Sequence, residues 1–349
     1  MPLHRVVQIR CLLLLGVPVA YAPSARAQHT AVMRSAAAAA PSLRLITDRA
    51  RHEIIVEIGP VDLPADCGHV QLPPFHSAIP IDGWLHGYTA ELVDGNGRPV
   101  PRVMLHHVNV IEPDRHELFS PIMLRLAAAG QESDPVKLPR LLGYRIRKGQ
   151  EFIVTSMLHN PTGRDYEGVR LRLHFPYTGS NALIKPIAIF PFYMDVMPPA
   201  SRHSYDLPPG RSVKFWEGSP ALSGRILGLG GHVHEYGTAL KFEDMTTGKV
   251  IWDARPAVGK DGQIVAMPMT KFITRLGVPI RPDHIYRVTA EYNNTSGGPI
   301  IGGAMGAMGG VFIPSHSSRW PPVDPNDPAL KLDWELVHTI GGEGHVHGN

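Results

Sequence analysis

Residues 94–97 read Asp94-Gly95-Asn96-Gly97, a combination typical of a tight turn between two β-strands. Pro and Gly recur at short intervals along the chain, so long helices are not expected. The apolar stretches between these breaks are short, and they alternate with polar residues or are rich in β-branched and aromatic residues, which predicts strands. The predicted strands are His52–Ile58, Val100–Ile111, Glu151–Leu158, Val169–Phe175, Arg225–Gly231, Gly248–Trp252, His284–Tyr292 and Gly309–Ile313. The sequence therefore predicts an all-β protein, with Leu118–Ala129 as the best helical candidate.

The first 27 residues predict an export signal. Arg5 and Arg10 give a basic start, Cys11–Ala20 is an apolar run, and Ala25-Arg26-Ala27 is a small-residue cleavage site. We therefore expect residues 1–27 to be removed and the mature protein to be exported, either to the periplasm or out of the cell. Membrane insertion is not expected, because no later stretch has the roughly 20 apolar residues of a membrane span.

The remaining chain is long enough for two domains. Residues 28–44 are expected to form a disordered leader. Pro176–Pro186 interrupts the strand pattern near the middle and predicts a boundary between domains at 45–180 and 181–316. Residues 317–349 are expected to form a Pro-rich, His-containing tail.

Composition points away from some partners and toward others. The formal charge of +3 is spread without a Lys/Arg block, so it gives no reason to expect nucleic acid. Of the two cysteines, Cys11 belongs to the signal, so Cys67 has no partner for an intramolecular disulfide. The 19 histidines are the unusual feature, because imidazole is the commonest transition-metal ligand. We expect some of them to bind metal.

The sharpest histidine motif is His232-Val233-His234, between Gly231 and Glu235. Residues i and i+2 of a strand point to the same face, so both rings can reach one ion. Met305 and Met308 follow in a Gly-rich stretch, and a His, His, Met set suits reduced copper. The alternatives are a pair of partly exposed strand histidines and, for each methionine, simple core filling.

A second motif, His106-His107, lies late in a predicted strand. Adjacent strand residues point to opposite faces, so both rings could reach one ion only at a bulge or a twisted edge. Met157 and His159 share a face at the end of another strand, and either one could complete this site. If the His-His motif stood alone, we would expect one histidine of the pair to be buried and the other to be solvated.

In this order the motifs resemble the copper type II, ascorbate-dependent monooxygenases, the family of peptidylglycine α-hydroxylating monooxygenase and dopamine β-monooxygenase. The resemblance covers residues 85–314, where His106-His107 matches the family's first-domain pair and His232-Val233-His234 its second-domain motif. It implies two antiparallel jelly-roll β-sandwiches with a copper-lined cleft between them. The sequence departs from the family in lacking its disulfides and in placing Met157 where a third first-domain ligand is expected.

The resemblance implies a catalytic copper held by His232, His234 and either Met305 or Met308, and a second copper held by His106, His107 and either Met157 or His159. Ascorbate would act as reductant, and dioxygen and a small-molecule or peptide as substrates, to hydroxylate an unactivated C–H bond. The natural substrate, the number of coppers and the oligomeric state stay open. Three alternatives remain: an envelope copper-binding, storage or transfer protein without turnover, a zinc hydrolase using His232, His234 and Glu235, and an interaction module without metal.

Overall fold

The computed structural model describes residues 40–259, 263–315 and 320–339. The predicted signal peptide, most of the predicted leader and the end of the predicted tail lie outside these residues. The first thirteen strands are β1 (Ser42–Asp48), β2 (Glu53–Leu63), β3 (Val70–Gln71), β4 (Phe75–Ala78), β5 (Gly83–Leu85), β6 (Gly87–Val93), β7 (Leu105–His116), β8 (Met123–Gly130), β9 (Val136–Lys137), β10 (Leu142–Ile146), β11 (Glu151–Leu158), β12 (Tyr166–Gly179) and β13 (Ile187–Ala188).

The second half continues with strands and ends in one described α-helix. These elements are β14 (Phe190–Asp195), β15 (Tyr205–Leu207), β16 (Gly210–Gly218), β17 (Gly224–Val233), β18 (Gly237–Asp244), β19 (Lys249–Ala254), β20 (Ala257–Val258), β21 (Ile264–Ala266), β22 (Thr270–Lys271), β23 (Val278–Ile280), β24 (Tyr286–Asn294), β25 (Ile300–Ala304), β26 (Gly306–Pro314) and α1 (Pro328–Thr339). Short 3-10 turns cover Arg102–Met104 and Ile273–Arg275. The prediction of an all-β protein is confirmed.

Two sheets sandwich the first apolar core. One sheet has the order β1-β2-β12-β5-β10-β13, with β6 and β9 joined to it through β12, and the other has the order β3-β11-β7-β8, with β4 beside β11. Alternate residues of β2 and β12, such as Val56 and Leu171, face Val108 and Val154 from the second sheet in one buried cluster. This alternation produces the period-two pattern in the sequence, because successive strand residues point to opposite faces.

A second pair of sheets sandwiches the second core. The order β14-β26-β17-β22, with β23 beside β17, forms one sheet, and β16-β24-β18-β19 forms the other. Leu229 and Phe312 from the first of these sheets pack with Leu240 and Val288 from the second. The two cores fall largely on the two sides of the predicted boundary at residue 180, and the boundary itself stays a prediction.

The helical expectation for Leu118–Ala129 is wrong. Met123–Gly130 is strand β8, which pairs with β7 from His107↔Gly130 to His116↔Met123. All but one of its residues are buried, so both faces carry apolar side chains. A strand buried on both faces gives a continuous apolar run, which periodicity alone cannot distinguish from a short buried helix.

The predicted ends of the chain also need correction. Strand β1 begins at Ser42, inside the residues expected to form a disordered leader, and pairs with β2. Helix α1 lies inside the expected tail. The backbone N–H of Ala329 donates to the Asp327 side chain at 2.8 Å, and Pro328 is the first helical residue, an arrangement that favours helix initiation. Among the described residues, no helix combines the length and the apolar character needed to cross a membrane.

Candidate metal centre

A β-bulge places His106 at the centre of the site. On β11, Met157 lies opposite His107 and Leu158 lies opposite Leu105, so His106 is the extra residue on β7. A bulge leaves its extra residue outside the ladder and redirects its side chain. The alternation of strand side chains required either a bulge or a twisted edge for both rings of the pair to reach one ion. The structure has the bulge, and an ion shared by His106 and His107 stays a prediction.

Three histidines converge at this bulge. Ring nitrogens of His69, His106 and His159 all lie within 4.8 Å of one another. All three lie at the same end of one sheet, because His69 precedes β3, His106 is the second residue of β7 and His159 follows β11. The ring of His69 lies 4.4 Å from that of His106 and 5.4 Å from that of His159. Pairing of β3 and β7 with β11 therefore assembles the group.

A backbone contact orients His159. Its Nε2 lies within hydrogen-bonding distance of the Val103 carbonyl oxygen, which can only accept, so Nε2 donates and the neutral ring carries its lone pair on Nδ1. A hydrogen bond from the second ring nitrogen to a carbonyl is the usual way in which a protein fixes a metal-binding tautomer. Burial lowers the pKa of His159, which also favours the neutral ring.

His106 is held still more firmly in its neutral form. Burial is the largest cause, and the neighbouring rings of His107, His234, His69 and His232 lower its pKa further. Protonating one imidazole among several others in a partly buried site is unfavourable because each added charge repels the next. These causes all favour the neutral form of His106.

His232 and His234, from the second half of the chain, form a second histidine group beside the first. The ring of His234, just after β17, lies 5.7 Å from that of His106, and the ring of His232 lies 5.0 Å from that of His234. The Nδ1 atom of His232 is 2.7 Å from a carboxylate oxygen of Glu132, which follows β8. Burial would lower the pKa of His232, but Glu132 outweighs it and the pKa is raised. Burial would likewise raise the pKa of Glu132, and His232 lowers it.

One cavity of about 700 Å³ lies between the sandwiches and is lined by His106 and His107 from the first half of the chain and by His232 and His234 from the second. His69 and His159 are not among its lining residues. Strands β7 and β8 supply one wall, and β17 and β26 supply the other. The residues that reach into it include His106, His107, Glu132, His232, His234 and Met305. Both predicted metal sites thus open into the same space.

The other predicted ligands take different positions. His107 is half-buried, with its ring 5.1 Å from that of His106, but it is not in the compact group of three. Met157 is fully buried in β11, and Met308 is 1% exposed in the second core. Met305 is half-buried, and its backbone N–H donates to the Tyr292 hydroxyl, which also accepts from the N–H of His234. Of the two methionines proposed for one position, Met305 is therefore the one tied to His234.

His69 was missed by sequence reasoning. It stands in Cys67-Gly68-His69, with no second histidine at strand spacing and no strong strand pattern around it. Its position depends on β3, a two-residue strand that pairs with the end of β11. Such a short element leaves no periodicity in the sequence, so the only available signal was the high number of histidines.

Comparisons with known proteins give no family. No protein-family model matches the chain, and no curated protein sequence matches it. Among solved structures, the chain is similar to the viral major capsid protein STIV MCP, with 9% identity and a TM-score of 0.30 over 78% of this chain and 95% of that one. It is also similar to the major capsid protein P2 from bacteriophage PM2, with 11% identity and a TM-score of 0.29 over 72% and 97% of the two chains.

The predicted function finds no support in these comparisons. Both are described as major capsid proteins, and neither description names an oxidoreductase or a copper protein. The copper-dependent monooxygenase and its alternative, an envelope copper-binding, storage or transfer protein, are therefore withdrawn, together with the predicted enzymatic activity. Likeness at this level assigns no capsid role to this chain either. Copper and ascorbate as cofactors, dioxygen as a partner and export from the cytoplasm stay predictions.

Proposed function

We propose that this protein binds a first-row transition-metal ion through His69, His106 and His159, and that it is a metal-binding β-sandwich protein. One observation carries the proposal: these three side chains bring ring nitrogens within 4.8 Å of one another. Three histidines are the ligand set of many four-coordinate sites, in which a water or another ligand takes the last position.

The electrostatics of the site support a cation. Burial and four neighbouring imidazoles lower the pKa of His106, and burial lowers that of His159, so protons compete weakly for these nitrogens. A metal ion needs neutral imidazole, which is the form that this environment favours.

The donor set decides the class of ion. Imidazole nitrogen suits Zn²⁺, Cu²⁺, Ni²⁺ and Fe²⁺, whereas Mg²⁺ and Ca²⁺ prefer oxygen ligands. The contact from His159 Nε2 to the Val103 carbonyl leaves Nδ1 for the ion. No turnover is part of the proposal, since the ligand set by itself does not define a reaction.

The test is a calorimetric titration of the chain with Zn²⁺. We expect one ion to bind at the cleft with an affinity that falls at least about 100-fold in His69→Ala and in His159→Ala, beyond the 10–100-fold typical of a lost outer-shell partner. His174→Ala is the matched control, because this histidine lies on another sheet between Glu53 and Glu91.

His107→Ala separates two ligand sets. The compact group of three predicts that this variant keeps most of its affinity, whereas a site built from the adjacent pair predicts that it loses as much as His159→Ala. Stoichiometric binding that is equally strong in wild type, His69→Ala and His159→Ala would show that the ion lies elsewhere, and the proposal would be abandoned.

A further inference from the structure

A second pair of histidines joins helix α1 to strand β4. The Nε2 atoms of His76 and His338 lie 2.8 Å apart, and their rings stack with centroids 5.0 Å apart. Trp334, one turn earlier in α1, stacks on His338 with a centroid distance of 4.4 Å. Residues 76 and 338 are 262 positions apart in the chain, so the pair exists only because α1 packs where it does.

A buried ion pair fixes the helix in this position. Both carboxylate oxygens of Asp333 contact the Arg125 guanidinium, at 2.5 and 2.6 Å, and one also accepts the backbone N–H of Met123 at 3.0 Å. Asp333 is 2% exposed and Arg125 is 7% exposed. A bidentate pair of this kind sets the orientation of the helix as well as its location.

Apolar contacts complete the docking. Val337 packs in a small cluster with Ile111, Met123 and Ile153. Ile153 on β11 lies directly opposite His76 on β4. His338 directly follows Val337, and His76 lies opposite Ile153. Packing of Val337 against Ile153 therefore brings His338 to His76.

The tautomer of His338 prepares it to bind a metal. Its Nδ1 lies 2.7 Å from the carbonyl oxygen of Trp334, which can only accept, so Nδ1 donates. In the neutral ring the lone pair then lies on Nε2, the atom that faces His76. A backbone carbonyl bound to the far nitrogen is the arrangement that orients metal-binding histidines in general.

The separation of the two nitrogens is that of a hydrogen bond, and it is also compatible with one metal geometry. Metal–imidazole bonds of ~2.0 Å at right angles, as in a square-planar or tetragonal site, put adjacent nitrogens ~2.8 Å apart, whereas a tetrahedral site needs ~3.3 Å. The observed separation is 2.8 Å. His76 is exposed and His338 is half-buried, so water can supply the remaining ligands.

We propose that His76 and His338 form a second metal site, which takes a divalent transition-metal ion of tetragonal preference, such as Ni²⁺, and clamps helix α1 to β4. The ion replaces the hydrogen bond between the two rings with two metal–nitrogen bonds. The metal clamp adds to the ion pair and the apolar contacts that already hold α1 against the first sandwich. This site is independent of the one proposed at the cleft.

The first test is equilibrium dialysis of the mature chain against Ni²⁺. We expect the wild type to bind one equivalent more than either His76→Ala or His338→Ala, with His174→Ala unchanged. The His106→Ala variant separates the two proposals: the equivalent that depends on His76 persists in it, whether or not the cleft binds an ion.

The sequence beyond α1 needs its own variant, because His345 and His347 follow within a few residues. If the extra equivalent survives in His76→Ala and disappears in a His345→Ala, His347→Ala double variant, the tail binds Ni²⁺ by itself and the proposal is overturned. An equal stoichiometry in wild type, His76→Ala and His338→Ala overturns it as well.

Hydrogen exchange provides a structural measurement that does not depend on counting ions. At a free Ni²⁺ concentration 100 times the dissociation constant, amides of α1 that exchange by undocking of the helix should slow by up to ~100-fold. The effect should vanish in His76→Ala, whose helix is itself unchanged. Equal slowing in both proteins would show that Ni²⁺ stabilises α1 without His76.

Discussion

Strands β7 and β17 both place histidines at the cavity, but the neighbours of these histidines shift their pKa values in opposite directions. On β7 the bulge turns His106 toward other imidazoles, and its pKa is lowered by burial and by those rings. On β17 the alternation of the strand carries His232 to Glu132, whose carboxylate raises its pKa. One strand therefore presents a histidine whose neutral form is favoured, and the other presents a histidine whose protonated form is stabilised by a carboxylate. The difference shows that histidine spacing alone does not identify a metal site, because the neighbours decide which ring is available.

The largest expected effect comes from removing the bulged residue. His106→Ala should lower the affinity for Zn²⁺ at least about 100-fold, beyond the effect of an outer-shell partner, because it removes the central member of the group. Calorimetric titration measures the change. His232→Ala is the comparison, and a loss of the same size there would mean that the ion lies between the two strands.

The next effect should come from Glu132→Gln. Breaking a buried acid–histidine pair leaves a partner unsatisfied, and since His232 is partly exposed the expected loss of unfolding free energy is ~1–3 kcal/mol. Urea denaturation in the presence of a chelator measures it without interference from metal. A Glu91→Gln variant, at the more exposed acid beside His174, should change stability far less. Equal effects would show that burial of Glu132 is irrelevant.

The pH dependence of stability should also distinguish the strands. Because the pKa of His232 is raised, its contribution to the free energy of unfolding is complete below the ordinary pKa of 6.5. That contribution is lost as the pH rises through the pKa of the folded state. Because the pKa of Glu132 is lowered, its contribution to the free energy of unfolding is complete above the ordinary pKa of 4.5. That contribution is lost as the pH falls through the pKa of the folded state. The pair therefore stabilises most between these values. Denaturation curves of wild type and Glu132→Gln should differ most in that window, and a constant difference from pH 3 to 9 would contradict this.

The smallest effect is expected at Met157. Its side chain is fully buried in β11, so Met157→Leu should cost less than about 1.5 kcal/mol of unfolding free energy, as volume-conserving swaps do, and should leave metal affinity unchanged. His159→Ala, two residues later, should have the opposite profile, with lost affinity and little lost stability. If Met157→Leu weakens metal binding as His159→Ala does, the thioether contributes to the site.

The strand pattern was the most predictable part of the fold. Glu151–Leu158 coincides with β11, and the other predicted strands overlap observed ones, because one buried face of a strand leaves a period-two signal. Strand β8 was not predicted as a strand, because both of its faces are buried. Helix α1 and its position were not predicted, because that position depends on the buried ion pair between Asp333 and Arg125, two residues far apart in the sequence.

The candidate site was predictable in part. Alternation required either a bulge or a twisted edge at His106-His107, and the structure has a bulge there. His159 was one of the two residues considered for the third position. The choice between Met157 and His159 needed the structure, because it depends on where β11 ends and the chain turns toward Val103. His69 could not be anticipated, since a two-residue strand leaves no pattern.

The sequence by itself determined the all-β class, the approximate positions of most strands and the abundance of imidazole, because these follow from local alternation and composition. The tertiary structure alone decided which imidazoles meet. His69, His106 and His159 come together through pairing of three strands, His232 meets Glu132 from 100 residues away, and His338 meets His76 through the docking of a helix. These contacts depend on long-range packing, which local spacing does not record.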